Sequence, residues 1–415
     1  MKGRNIEIAA PGGERFRAYL STPASGKGPG LVLCHEIFGA NVHMREVADY
    51  YAEEGYTVLL PDLFWRSAPG IELGDSPDDM ARAMALYETY DENLGVGDIA
   101  ATLRTLATLP ECSGGAGVLG YCLGGKLAWL AACRLPQVTC AVSYYGVGIE
   151  LALDEAHALT GRVVLHLAGE DCFCPPAARE QITRTLAGRS GVELYTYPGA
   201  DHAFARTGSA HWDKAAAAMA HQRSVTALRE TLGPRLDLSA LWEVHLAHEF
   251  DTRNVDATMA TMVAEPYVNH IPTLTGGVGH DELKHFYTHH FVHANPPDTT
   301  ITPVSRTIGA TQVVDELLFS FTHTTEIDWM LPGIAPTGKR VEIALVAIVK
   351  FRGDKLYHEH IYWDQASVLV QIGLLDPAGL PVAGVETARK LLDETVPSNR
   401  LMPNWQYAFA THDTH

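Results

Sequence analysis

Short apolar runs alternate with helical periodicity through the first half of the chain. Residues 31–34, 57–61, 117–119, 163–168 and 192–197 have the length and apolar content of strands. Residues 44–54, 79–109, 126–135, 175–187 and 210–232 instead space their apolar side chains at helical intervals. The glycines near Gly95 predict a break in the second of these helices. Such alternation predicts a mostly parallel sheet covered on both faces, an α/β fold. Gly233-Pro234-Arg235-Leu236-Asp237 then interrupts the last helix and reads as a linker. Beyond it, residues 241–250, 255–263 and 281–291 look helical, and 304–308, 312–323, 340–351 and 356–363 alternate like antiparallel strands. Helices followed by strands predict α+β. The expected organisation is an α/β domain over residues 1–233 and an α+β domain over 240–390.

Composition narrows the functions available. At 415 residues the chain exceeds one ordinary core, and 47% hydrophobic with 19% charged residues suits a soluble globular protein. A formal net charge of -18 argues against nucleic acid, whose binding needs a basic face, and it means that an anionic ligand needs a local cation. The start of the chain, Met1-Lys2-Gly3-Arg4-Asn5-Ile6-Glu7, has no apolar signal region, and no run approaches a membrane span. The seven cysteines, an odd number all at or before Cys174, suit a reducing cytoplasm better than a disulfide framework. Cys172-Phe173-Cys174 has the wrong spacing for a zinc knuckle and reads as packed loop cysteines. Cys34, Cys112, Cys133 and Cys140 read as core fillers.

The chemistry concentrates at Gly120-Tyr121-Cys122-Leu123-Gly124-Gly125, between a strand and a helix. In that context a G-x-S-x-G elbow presents a nucleophile, here with cysteine in place of serine. The helix behind Cys122 offers a positive dipole end and unpaired N–H groups, which favour a thiolate and an oxyanion. Two later strands deliver Gly169-Glu170-Asp171 and Gly199-Ala200-Asp201-His202. Nucleophile, acid and histidine in that order, each after a strand, is the chain order of an α/β-hydrolase triad. His202 would then manage the Cys122 proton and Asp171 would fix the imidazole tautomer. Singly, Asp171 also reads as a turn residue and His202 as a loop histidine.

Gly120–Gly125, His35-Glu36-Ile37-Phe38-Gly39 and Asp201-His202-Ala203-Phe204-Ala205-Arg206 resemble dienelactone hydrolase (carboxymethylenebutenolidase), from about the N-terminus to Leu232. Tyr144-Tyr145-Gly146-Val147-Gly148 and Gly95-Val96-Gly97-Asp98 also resemble family segments. The resemblance implies that Glu36 partners the resting thiol, that Ile37 and Leu123 supply oxyanion N–H groups, and that Arg206 holds a substrate carboxylate. Departures are visible too. The place of the family's second arginine falls on Met80, with Arg82 two residues later, a poor substitute on a helix. The family's aromatic pair there becomes Met84 and Tyr87, and its serine after the histidine is Ala203.

The second half resembles a SnoaL-like domain of the NTF2-like superfamily. The residues that carry this are 262–270, ending Tyr267-Val268-Asn269-His270, then 314–323, and His358-Glu359-His360-Ile361-Tyr362-Trp363-Asp364. The resemblance implies a conical pocket with Asp364, and His360 or His270, as acid and base. Asp364 also reads as the N-cap of a helix over 365–374. His285 with His289, and His358 with His360, are spaced to ligate a metal if a carboxylate joined them. With 20 histidines in the chain such pairs arise by chance, and no metal or cofactor is expected.

The expected function is a cysteine hydrolase that opens a small carboxylate-bearing lactone. Its rivals are a broader esterase or thioesterase on the same machinery, and a ligand-binding or sensing protein working through the second pocket. Expected partners are the small-molecule substrate and a second copy of the chain, a homodimer through the C-terminal domain, with no nucleic acid and no membrane.

Overall fold

Gly28–Cys34 is buried at every position, as a strand inside a doubly covered sheet must be. It is β3 of a computed structural model that describes residues 3–405 and divides between Leu236 and Asp237. The first unit holds β1 (Arg4–Ala9), β2 (Arg15–Ser21), β3, β4 (Thr57–Pro61), β5 (Cys112–Tyr121), β6 (Val138–Tyr144), β7 (Arg162–Ala168) and β8 (Val192–Tyr197). They form one sheet in the order β1-β2-β4-β3-β5-β6-β7-β8. β1 and β2 pair antiparallel and β2 runs antiparallel to β4; the six strands from β4 to β8 are mutually parallel. Six α-helices accompany them: α1 (Val42–Glu53), α2 (Pro77–Glu88), α3 (Glu92–Thr108), α4 (Leu123–Arg134), α5 (Pro176–Leu186) and α6 (Lys214–Leu232). Because those six strands share a direction, the loops after β3, β5, β7 and β8 leave the sheet at one edge. They carry Glu36, Cys122, Asp171 and His202. Open α/β sheets bind ligands at that edge.

The second unit contains α7 (Leu238–Leu246), α8 (Val255–Ala260), β9 (Met262–His270), β10 (Thr275–Val278), α9 (His280–Phe286), β11 (Thr300–Ile308), β12 (Gln312–Thr322), β13 (Arg340–Arg352), β14 (Lys355–Trp363), α10 (Gln365–Gln371) and α11 (Glu386–Leu392). Its sheet runs β10-β9-β14-β13-β12-β11, antiparallel except between β14 and β9. In β13 every second residue from Val341 to Phe351 is buried, so one sheet face forms the core. No described helix is long and apolar enough to cross a membrane.

Three sequence expectations are corrected. The break in 79–109 falls at residues 89–91, not at the glycines, because Asp91 caps α3 by accepting from Asn93 N and Leu94 N. Gly95 sits inside α3, where a Cβ would lie 2.3 Å from the Tyr90 hydroxyl, so the glycine makes room for a tyrosine. The helix expected over 255–263 ends at Ala260, and Met262 already belongs to β9. Residues 241–250 and 281–291 each begin as an α-helix and end in a π-helical turn, Ala247–Asp251 and Tyr287–Phe291. Among the cysteines, Cys112 is half-buried and Cys172 exposed, whereas Cys34, Cys133, Cys140 and Cys174 are buried.

Candidate active site

Cys122 sits at φ 55, ψ −117, between the last residue of β5 and the first of α4. A non-glycine residue in that region stores strain, and such strain concentrates at functional sites. The glycines around it allow the turn. A Cβ on Gly120 would lie 2.0 Å from the Gly124 carbonyl oxygen, and one on Gly125 2.7 Å from that of Tyr144. A Cβ on Gly124 would meet the Cys34 and His35 carbonyl oxygens at 2.2 and 2.7 Å, so α4 begins against the end of β3 and the His35-Glu36-Ile37 segment. Leu123 opens α4, and its N–H has no carbonyl one turn behind it. Ile37 and Leu123 are both buried.

His202 connects the thiol to a carboxylate. Its Nδ1 lies 2.9 Å from Asp171 Oδ2, and Asp171 Oδ1 accepts from Phe173 N at 2.8 Å. Nε2 is thereby left for the Cys122 thiol, whose proximity helps set the ring's protonation. Burial opposes protonation of this imidazole, but the hydrogen bonds and charges of Asp171 and Cys122 outweigh it and push the group up to about 10. Tyr145 and Phe173 set their rings edge-on to His202 at 5.0 and 4.8 Å between centroids.

Glu36 and Arg206 form the other wall. The buried Glu36 accepts from the Tyr145 hydroxyl at 3.3 Å and faces Arg206 Nε at 3.8 Å. Tyr145 is itself strained, at φ 37. Tyr145 and Arg206 thus engage Glu36, and the Cys122 thiol bears on His202. Arg206 also lies over the Phe38 ring, 4.5 Å from its centroid, and reaches Asp75 Oδ1 at 2.7 Å. Asp75 is 67% exposed, so a solvated loop carboxylate occupies the guanidinium. Met80 and Arg82 are both exposed on α2, and Arg82 does not replace the second arginine. Tyr87, on the same helix, is half-buried, and its hydroxyl is pushed up by burial and by the nearby Cys122 charge.

The second unit rearranges the expected pocket. His270 is buried, donates from Nδ1 to the Thr275 carbonyl oxygen at 3.1 Å and packs on Trp329 at 4.8 Å. Burial pushes it down to about 4, so it stays neutral and presents its other nitrogen. His360 and Asp364 do not join it. Residues alternate along β14, so buried Glu359 faces the core while His358 and His360 stack on each other on the opposite face, 4.5 Å apart. Asp364 is exposed and caps α10, accepting from Ala366 N at 3.0 Å and Ser367 N at 3.3 Å. Two buried carboxylates, Glu249 and Glu359, stand beside His245. Sequence reasoning missed all three, because His245 and Glu249 resemble an ordinary i,i+4 helix pair and Glu359 is distant in sequence. It also missed Asp75, which no motif marks.

Comparison with known proteins agrees with this division. Residues 16–232 match the dienelactone hydrolase family, and residues 244–359 match the SnoaL-like domain. A carboxymethylenebutenolidase from Pseudomonas sp. (strain P51) is 39% identical over 231 residues, 55% of this chain and 96% of that protein. One from Pseudomonas putida is 37% identical over 54% of this chain and 94% of that protein. A solved candidate dienelactone hydrolase from Klebsiella pneumoniae is 26% identical, covers 55% of this chain and 99% of that one, and superposes with a TM-score of 0.49.

Proposed function

The chain belongs to the dienelactone hydrolase family, and from that membership we propose that Cys122 opens small carboxylate-bearing lactones through a thioester acyl-enzyme. Action on an ester or lactone follows from the family. The nucleophile and substrate are our reading, and the observation that carries it is Cys122 on a strained elbow, close enough to the bonded His202–Asp171 pair to help set the ring's protonation.

The Cys122 thiolate, whose proton His202 Nε2 already holds, attacks the lactone carbonyl, and Asp171 holds the Nδ1–H side of the ring. The Leu123 N–H, with that of Ile37, receives the oxyanion. The ring C–O bond breaks, the leaving oxygen takes the His202 proton, and a thioester remains. Water then attacks the thioester as His202 accepts its proton, the acid departs, and the thiolate is restored beside the imidazolium. The substrate's own carboxylate binds Arg206 in place of Asp75. Glu36 stays beside that guanidinium, so a single added anion is held by a cation already half-neutralised.

One observation favours the broader esterase or thioesterase. Arg206 is engaged twice and the second arginine's place is an exposed methionine. Turnover of a dienelactone beside p-nitrophenyl acetate separates the readings. Higher kcat/KM for the dienelactone supports the lactonase, higher kcat/KM for the acetate supports the esterase, and no turnover of either leaves a binding protein.

A further inference from the structure

A buried group of ionisable side chains in the second unit takes no part in ester chemistry. Three different segments deliver it. His245 comes from the last turn of α7, Glu249 from the π-helical turn that follows, and Glu359 from the core-facing side of β14. All three are buried, and one ligand atom from each lies within 4.8 Å of the other two. His245 Nε2 is 3.2 Å from Glu249 Oε1 and 3.1 Å from Glu359 Oε1.

Hydrogen-bond direction fixes the tautomer. Thr261 Oγ1 donates to the Thr258 carbonyl oxygen at 2.6 Å, so toward His245 Nδ1, also at 2.6 Å, it accepts. Nδ1 therefore carries a hydrogen, and Nε2 faces two carboxylate oxygens, Glu249 Oε1 at 3.2 Å and Glu359 Oε1 at 3.1 Å. That contact requires positive charge between the three atoms. A proton on Nε2 satisfies one oxygen well and leaves two buried carboxylates facing one imidazolium. The other neighbour is the Tyr287 hydroxyl, which donates to Glu359 Oε1 at 3.5 Å. A divalent cation would match two carboxylates and a neutral imidazole with no residual charge.

We propose that His245, Glu249 and Glu359 bind one divalent first-row transition cation, with Zn²⁺ the best match. Separations of 3.1 and 3.2 Å suit neighbouring ligands around an ion bonded at roughly 2.0–2.2 Å. Thr261 then orients the imidazole from behind, the usual outer support of a metal-bound histidine. An imidazole donor disfavours Ca²⁺ and Mg²⁺, and the absence of sulfur from the trio disfavours Cu⁺. Glu249 and Glu359 also line an aromatic cavity of about 40 Å³ shared with His270 and Trp329, room for roughly one to three waters. A water there, or Tyr287, which begins the chain's second π-helical turn, completes the coordination.

The test uses the full chain, stripped with chelator and carrying Cys122→Ser so that the reactive thiol cannot compete. Calorimetric titration with Zn²⁺ should give one equivalent per chain. Co²⁺ in its place should give d–d bands without a sulfur charge-transfer band. Glu249→Gln and Glu359→Gln should each weaken binding at least about 100-fold, whereas His285→Ala/His289→Ala should leave it unchanged. If either glutamine variant fails to fold, the parent protein still decides: Zn²⁺ must raise its unfolding temperature and the Co²⁺ spectrum must show nitrogen and oxygen ligands. No stoichiometric uptake, a sulfur band, or full uptake by the folded glutamine variants overturns the proposal.

Discussion

His202 and His245 are built from similar parts, each a buried or nearly buried imidazole set against carboxylate oxygens. They differ in what they face and in how they are reached. His202 has one carboxylate and one thiol, on loops at a sheet edge, and its side chain keeps 12% exposure. His245 has two carboxylates and no thiol, and its side chain is closed to solvent beside a cavity too small for a lactone. Turnover requires a reactive atom that substrate can reach and leave. On the proposed reading the His202 site serves that requirement, and the His245 site, with its small cavity, is suited to an ion.

The largest expected effect breaks this contrast at the thiol. Cys122→Ala should lower ester and lactone turnover by about 10⁴-fold or more while leaving the circular dichroism spectrum and unfolding temperature unchanged. Turnover near that of the parent would remove Cys122 from the mechanism. Arg206→Ala should come next. A hydrogen bond to a charged group contributes about 1.5–3 kcal/mol, so kcat/KM for a carboxylate-bearing lactone should fall roughly 10- to 150-fold relative to a neutral ester. Equal losses on both substrates would make Arg206 structural.

Protonation states sharpen the comparison between the units. By NMR of ring-labelled histidines, His202 should remain imidazolium at pH 8 and His270 neutral at pH 5.5. The signs are opposite. His202, raised, stabilises the fold fully below its unfolded value of about 6.5, and that contribution is lost as pH rises toward about 10. His270, lowered, stabilises above about 6.5, and its contribution is lost as pH falls toward about 4. Ordinary titration of both rings near pH 6.5 would contradict these environments. The smallest effect concerns the solvated Asp75. A pair so exposed contributes about 0.2–1 kcal/mol, so Asp75→Asn should lower KM for carboxylate-bearing lactones by at most about 5-fold and leave neutral esters unchanged.

What the sequence disclosed follows from how each site is assembled. Cys122, Asp171 and His202 follow three parallel strands, so their order along the chain already encodes convergence at one edge. Runs such as β4 and β8 were legible at their boundaries because they are short and apolar or alternating. The second unit was legible as helices and strands but not as a site. There, the buried group depends on which face of β14 a residue occupies and on a contact between that strand and the π-helical turn that carries Glu249. Neither leaves a motif. Asp364 shows the same point in reverse, since an aspartate before a helix serves the helix first.

The central claim is that Cys122 carries the acyl group. The most direct test is the mass of the intact protein, followed by peptide mapping, after acid quench during turnover of p-nitrophenyl acetate. The account expects one acetyl group on Cys122 of the parent protein, and none on that peptide in Cys122→Ala. Steady turnover with no acyl adduct, or an adduct on another residue that accumulates and decays at the turnover rate, would contradict it.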